Sequence, residues 1–123
     1  MDSKFYVSLE AARLLKEKGY NEECDCVIDD DGDIFEHQYQ MNQDLPEWKC
    51  SCPTKAEAID WLESKGHRIN IIYDWIECKW YFTIINGSPT IKNITELEVS
   101  DWEYYPTRLE AEEAAIIKAF ELL

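Results

Sequence analysis

The sequence predicts an α+β fold in which an antiparallel β-sheet built from hairpins carries three α-helices, packed mainly on one face. Three observations lead there. Three segments, at about residues 8–18, 54–65 and 107–122, repeat apolar residues at helical spacing behind a hydroxyl cap. Between them the spacing changes to two, the period of a half-buried strand. The turn sequences Asp31-Gly32 and Asn86-Gly87 break the alternating runs into hairpins.

In the first helix Ser8 supplies the N-cap, and Ala11, Leu14 and Leu15 share a face. Lys16 and Lys18 form a basic last turn and Gly19 takes the C′ position, leaving Tyr20 to pack back on Leu15. Cys24, Cys26 and Ile28 then alternate with Asp25 and Val27, and Asp29-Asp30-Asp31-Gly32 makes a turn. Ile34, Phe35 and Tyr39 continue beyond it as the second arm of an acidic hairpin. The second helix opens with Thr54-Lys55-Ala56-Glu57, a capping box in which Thr54 and Glu57 satisfy each other's backbone donors. Ala58, Ile59 and Leu62 form its stripe, Trp61 widens it, Gly66 ends it, and His67 is placed to pack on Leu62. Ile69, Ile71 and Tyr73 next alternate with Arg68, Asn70 and Ile72, and Cys78, Trp80, Phe82 and Ile84 alternate with Lys79, Tyr81, Thr83 and Ile85. A further strand between Thr95 and Tyr105 leads to a second capping box, Thr107-Arg108-Leu109-Glu110. Leu109, Ile116, Ile117 and Phe120 mark the expected face of the helix that follows. Pro53–Ala58 and Pro106–Ala111 repeat one pattern 53 residues apart, and the shared demands of entering a helix from a strand account for it without duplication.

A chain of 123 residues with no Pro/Gly/Ser-rich linker is expected to form one domain, 1–123. Its 46% hydrophobic content is too high for a disordered tail. The 26 acidic and 12 basic residues leave a charge of −14, which argues against direct binding to a nucleic-acid backbone or an anionic membrane. No apolar run is long enough to span a bilayer, and Met1-Asp2-Ser3-Lys4 does not open a signal peptide. Five cysteines without a secretory signal are expected to be reduced thiols in a cytoplasm.

The cysteines give the one metal-ligand pattern. On a strand, Cys24-Asp25-Cys26 and Cys50-Ser51-Cys52 each turn two thiols to one face, so four sulfurs could converge on a tetrahedral zinc, with His37 and Cys78 in reserve. The competing account is stronger: cysteine also serves as a small buried hydrophobe, and structural zinc sites use C-x₂-C or wider spacing. The turn Asp29-Asp30-Asp31-Gly32-Asp33 invites a calcium reading. Setting Gly32 on the obligatory glycine of an EF-hand puts Val27 and Gln38 at two essential ligand positions, so that motif is rejected. A loose divalent-cation site or a solvated turn remains. His37 and His67 are the only imidazoles, and no nucleophile elbow, zinc-protease motif or phosphate-cradling glycine loop is present. The sequence therefore points away from an enzyme and implies no cofactor. Of the five tryptophans, Trp61 and Trp80 fit core faces, while Trp75 and Trp102 sit among acidic residues near strand ends, where a ring can anchor an interface.

Tyr6-Val7-Ser8-Leu9-Glu10-Ala11-Ala12, the run Leu14–Tyr20, Pro53-Thr54-x-x-Glu57-Ala58 with Trp61-Leu62, and Glu110-Ala111-Glu112-Glu113-Ala114 together span most of the chain. In this order they resemble a family of small uncharacterised proteins from gut Bacteroidetes genomes, often encoded among phage or mobile-element genes. The shared motifs are caps and apolar stripes, so the resemblance brings no activity, ligand or site residue. Members more often carry alanine where this chain has Cys52, which counts against an obligatory zinc site there.

The expectation is a cytoplasmic, non-enzymatic accessory protein that binds another protein through an acidic surface with aromatic anchors. The partner would be basic, and mimicry of nucleic-acid charge is one form of this; self-association is also open. Glu22 to Glu36 holds eight acids and no base, which singles out Asp29, Asp30, Asp31 and Asp33, with Trp75 and Trp102 as anchors. The alternative is a metal-binding protein using Cys24, Cys26, Cys50 and Cys52.

Overall fold

In the computed structural model, which describes residues 3–86, 96–99 and 103–121, the helix ends follow the local signals. α1 (Leu9–Glu17) starts at Ser8, whose hydroxyl accepts from the Ala11 N–H at 3.2 Å. It closes in a Schellman motif: Gly19, at φ 93°, donates to the Lys16 carbonyl and Tyr20 donates to that of Leu15. Leu15 and Tyr20 are both buried. At the start of α2 (Lys55–Ser64) the capping box is reciprocal: the Thr54 hydroxyl accepts from the Glu57 N–H at 3.2 Å, and the Glu57 carboxylate from the Thr54 N–H at 3.1 Å. α3 (Arg108–Glu121) begins with the Thr107 hydroxyl accepting from the Glu110 N–H at 3.2 Å.

Loss of either cap, by Thr54→Ala or Thr107→Ala, should cost about 0.5–2 kcal/mol in urea denaturation. Thr107→Asp should recover most of it. At Thr54, whose hydroxyl also donates to Glu57 at 2.9 Å, serine is the restoring residue because aspartate would set two carboxylates together. If these replacements were as damaging as alanine, the threonines would not be acting as caps.

The chain divides into two compact units, Met1–Ala58 and Ile59–Leu123, and the division falls inside α2. The first unit holds β1 (Val27–Asp29), β2 (Ile34–Phe35) and β3 (Lys49–Ser51) in an antiparallel sheet of order β2-β1-β3. α1 packs on β1 and β3. All of β1 is buried, with Val27 only 1% exposed. The simple alternation expected around Val27 therefore fails, because the central strand is covered on both faces. Nor does Tyr39 continue the second arm: β2 ends at Phe35, and His37 and Tyr39 adopt left-handed backbone at φ 59° and 49°. The Lys16 ammonium donates to the carbonyls of Pro46 at 2.8 Å and Lys49 at 2.6 Å, tying α1 to the entry of β3. In the short 3₁₀ turn Asn42–Asp44, the buried Asn42 donates from Nδ2 to the Tyr20 carbonyl at 2.7 Å and accepts at Oδ1 from the Ser51 N–H at 2.8 Å.

The second unit holds β4 (His67–Asp74), β5 (Lys79–Asn86) and β6 (Glu96–Val99), antiparallel in the order β4-β5-β6. Among the described residues, Ile69, Phe82 and Ile84 are its buried strand residues, on the face the alternation predicts. Trp80 and Tyr105 exchange backbone hydrogen bonds at 2.9 and 2.7 Å, leading the chain toward α3, which packs on β4 and β5. The buried face of α3 is Ala111, Ala115, Ile116, Ala119 and Phe120. Leu109 and Ile117, expected on that face, are only half-buried. The buried stripe is therefore centred on alanines together with Ile116 and Phe120. The third helix's last expected residue, Leu122, lies outside the described residues, as do Gly87 and Trp102.

Candidate interaction surface

The acidic turn belongs to the first unit, and its carboxylates differ in what they do. Asp29 is 9% exposed, and its Oδ1 accepts the N–H groups of Asp31 and Asp33, both at 3.0 Å. Gly32, at φ 84°, allows the backbone to close the same loop through its N–H to the Asp29 carbonyl. Asp29 is thus the clamp of the turn, and the expectation that it faces a partner is corrected. Asp30 pairs with Arg13 of α1 at 2.9 Å, both side chains being more than half exposed. A pair of that kind contributes at most about 1 kcal/mol, yet it supplies a base that the local count of eight acids does not include. Asp31 and Asp33 stay exposed. Oxygens of Asp29, Asp31 and Asp33 lie within 4.8 Å of one another, the crowding that an Asx-closed turn of acidic residues produces by itself.

The aromatic site is the loop between β4 and β5. Asp74 Oδ1 accepts from the N–H groups of Ile76 at 2.9 Å and Glu77 at 3.2 Å, and Oδ2 accepts from the Tyr104 hydroxyl at 3.2 Å. The Glu77 and Ile76 N–H bonds, with that of Tyr104, hold this carboxyl below its ordinary pKa. Cys78 takes left-handed backbone at φ 54° to rejoin β5. On the loop so fixed, Trp75 is 84% and Ile76 91% exposed. The Trp75 ring meets Tyr73 edge-on at 5.2 Å, and Tyr73 meets Trp80 at 5.1 Å. Trp75 was legible from sequence. Ile76, the more exposed partner, was missed, although an apolar residue between Asp74 and Glu77 in a hairpin turn was the available signal.

A second aromatic pair lies on the first unit, also unassigned from sequence. The Lys49 ammonium sits 4.7 Å from the Trp48 ring and 5.6 Å from that of Phe35, with both rings exposed.

All five cysteines are thiols. Cys24, Cys26, Cys50 and Cys52 are buried at alternating positions on β1, β3 and their flanks, and the Cys52 N–H donates to the Cys26 carbonyl at 2.9 Å. Two of the sulfurs have separate partners: Cys24 the Tyr20 hydroxyl at 3.6 Å, and Cys52 the Val7 carbonyl at 3.5 Å. Cys26 is hydrogen-bonded to the Tyr6 hydroxyl, a contact that, with burial, pushes that phenol up to about 12. Burial raises the pKa of Cys24, Cys26 and Cys50. Among the described residues, Asp29, Asp31 and Asp33 form the only group of three or more potential ligands drawn together, and no thiol belongs to it. The reserve candidates His37 and Cys78 are exposed, His37 beside Asp25 at 3.4 Å and Cys78 on the hairpin loop. Far-UV circular dichroism and the thermal transition are expected to be unchanged by excess EDTA. A transition that collapses on chelation and returns with zinc would establish a thiolate site instead.

No described helix is long and apolar enough to cross a membrane. No family model, curated protein or solved structure matches the chain.

Proposed function

We propose that this is a cytoplasmic, non-enzymatic accessory protein, of phage or mobile-element type, that acts by binding a partner protein with a basic and apolar surface. The observation that carries the reading is the exposure of Trp75 and Ile76 on a loop pinned by Asp74. A large ring held in place before binding loses little entropy on contact, and buried tryptophans dominate interface energetics. The charge of −14, with Asp31 and Asp33 exposed on the acidic turn, favours a cationic partner and speeds its encounter.

Capture from the native host, compared between two variants, tests this. Trp75→Ser/Ile76→Ser should weaken the captured partner's affinity by tenfold or more, on the order of one hot spot. Asp30→Asn/Asp31→Asn/Asp33→Asn, which keeps Asp29 as the clamp, should slow association and flatten its salt dependence while leaving dissociation nearly unchanged. A partner lost from the asparagine variant but retained by the tip variant would replace this reading with mimicry of nucleic-acid charge.

A further inference from the structure

We infer that β4 is a self-pairing edge, along which a second copy of this chain adds antiparallel to join two three-stranded sheets into one. β4 lies at the outside of the order β4-β5-β6 and is eight residues long. Alternate residues along such a strand turn both N–H and C=O away from their neighbour. Among the described residues, the backbone hydrogen bonds of Arg68–Tyr73 run to β5.

Natural edges are blunted by lysine, proline, a bulge or shortness. This one has none of these. Its sequence His67-Arg-Ile-Asn-Ile-Ile-Tyr-Asp74 contains no lysine or proline, and its register with β5 runs unbroken from His67↔Asn86 to Asp74↔Lys79. The strand also balances one arginine against one aspartate in a chain of charge −14. The strand itself therefore contributes no net charge to the repulsion between two copies.

Pairing geometry selects the register. A two-fold axis perpendicular to the sheet keeps the faces continuous only if residues of like parity stand opposite. Centring it on Ile71 places Arg68 of each copy opposite Asp74 of the other, Ile69 opposite Tyr73 and Asn70 opposite Ile72. Centring on Asn70 or Ile72 sets neither charge against its opposite. Arg68 is an exposed side chain now 3.2 Å from an exposed Glu63, so it is readily redirected. Asp74 keeps acceptor capacity beyond its three bonds. Both copies of α3 then lie on the same face of the joined sheet. One strand pair covers less than a standard interface of about 1,600 Å², so the dimer forms reversibly with concentration.

Sedimentation velocity on the whole protein, up to about 1 mM, reads the association. The expected result is a monomer–dimer equilibrium whose Kd rises about tenfold in Arg68→Asp, where two aspartates face each other at both ends. The register is read with Asn70→Cys and Ile72→Cys chains in a Cys78→Ser background, oxidised with diamide. Mixed together they should cross-link to each other far more than either does alone, while Ile71→Cys cross-links to itself. A protein monomeric at every concentration overturns the inference. So does a dimer that gives neither the mixed nor the Ile71→Cys cross-link. Both readouts are independent of Trp75 and of any partner protein.

Discussion

Replacing Asn42 with alanine is expected to lower stability by about 2–4 kcal/mol, a large effect for one small polar side chain in a short turn. The side chain joins the end of α1 to β3 by satisfying the Tyr20 carbonyl and the Ser51 N–H, and both Asn42 and Ser51 are buried. Its removal strands two backbone groups away from water, each costing about 1–3 kcal/mol when left unmade. Asn42→Asp should be intermediate or worse, since it keeps the acceptor for Ser51 but loses the donor to Tyr20 and buries a charge. Urea denaturation checks this. A change within about 0.5 kcal/mol for alanine, the range of an ordinary surface substitution, would mean the two backbone groups find other partners.

The second large effect is an alkaline loss of stability. Burial raises the pKa of Cys24, Cys26 and Cys50, and burial together with the Cys24 contact raises that of Tyr20. Each folded-state pKa lies above its unfolded value, so the unfolded chain sheds protons first as pH rises. The stabilisation is complete below the ordinary thiol pKa of about 8.5 and is lost progressively above it. Under reducing conditions, the urea midpoint should be level between about pH 7 and 8 and then fall. The slope should approach about 1.4 kcal/mol per pH unit for each thiol that must stay protonated. Substituting one of these cysteines with alanine should make the decline shallower, whatever it does to stability at neutral pH. A level midpoint up to about pH 10 would contradict the burial of these thiols.

The parts of the fold that were legible in the sequence are those that depend on a few neighbouring residues. Ser8, Gly19, Thr54 and Thr107 act where their types and spacing put them, because a cap is settled within one turn of chain. The face of α3 was less legible, since alanine reads equally well as core or surface. Val27 was misplaced because alternation assumes one wet face, and β1 has none. In the acidic turn, composition could not say which of several identical aspartates would clamp the loop. Asn42 gave no signal at all, its partners being 22 and 9 residues away. Trp75 stood out by type and position, whereas its exposure depended on Asp74 fixing the loop outward.

The Trp75–Ile76 loop is proposed as the contact surface for a partner protein. Its most direct test is to replace Ile76 with p-benzoylphenylalanine, irradiate in host cells, and compare with the same group at Glu110, an exposed position on α3 of the same unit. The account predicts a discrete adduct with one basic protein from position 76 that is absent from position 110, and that weakens when Trp75 is also changed to serine. No adduct from position 76, or the same set of adducts from both positions, would contradict it.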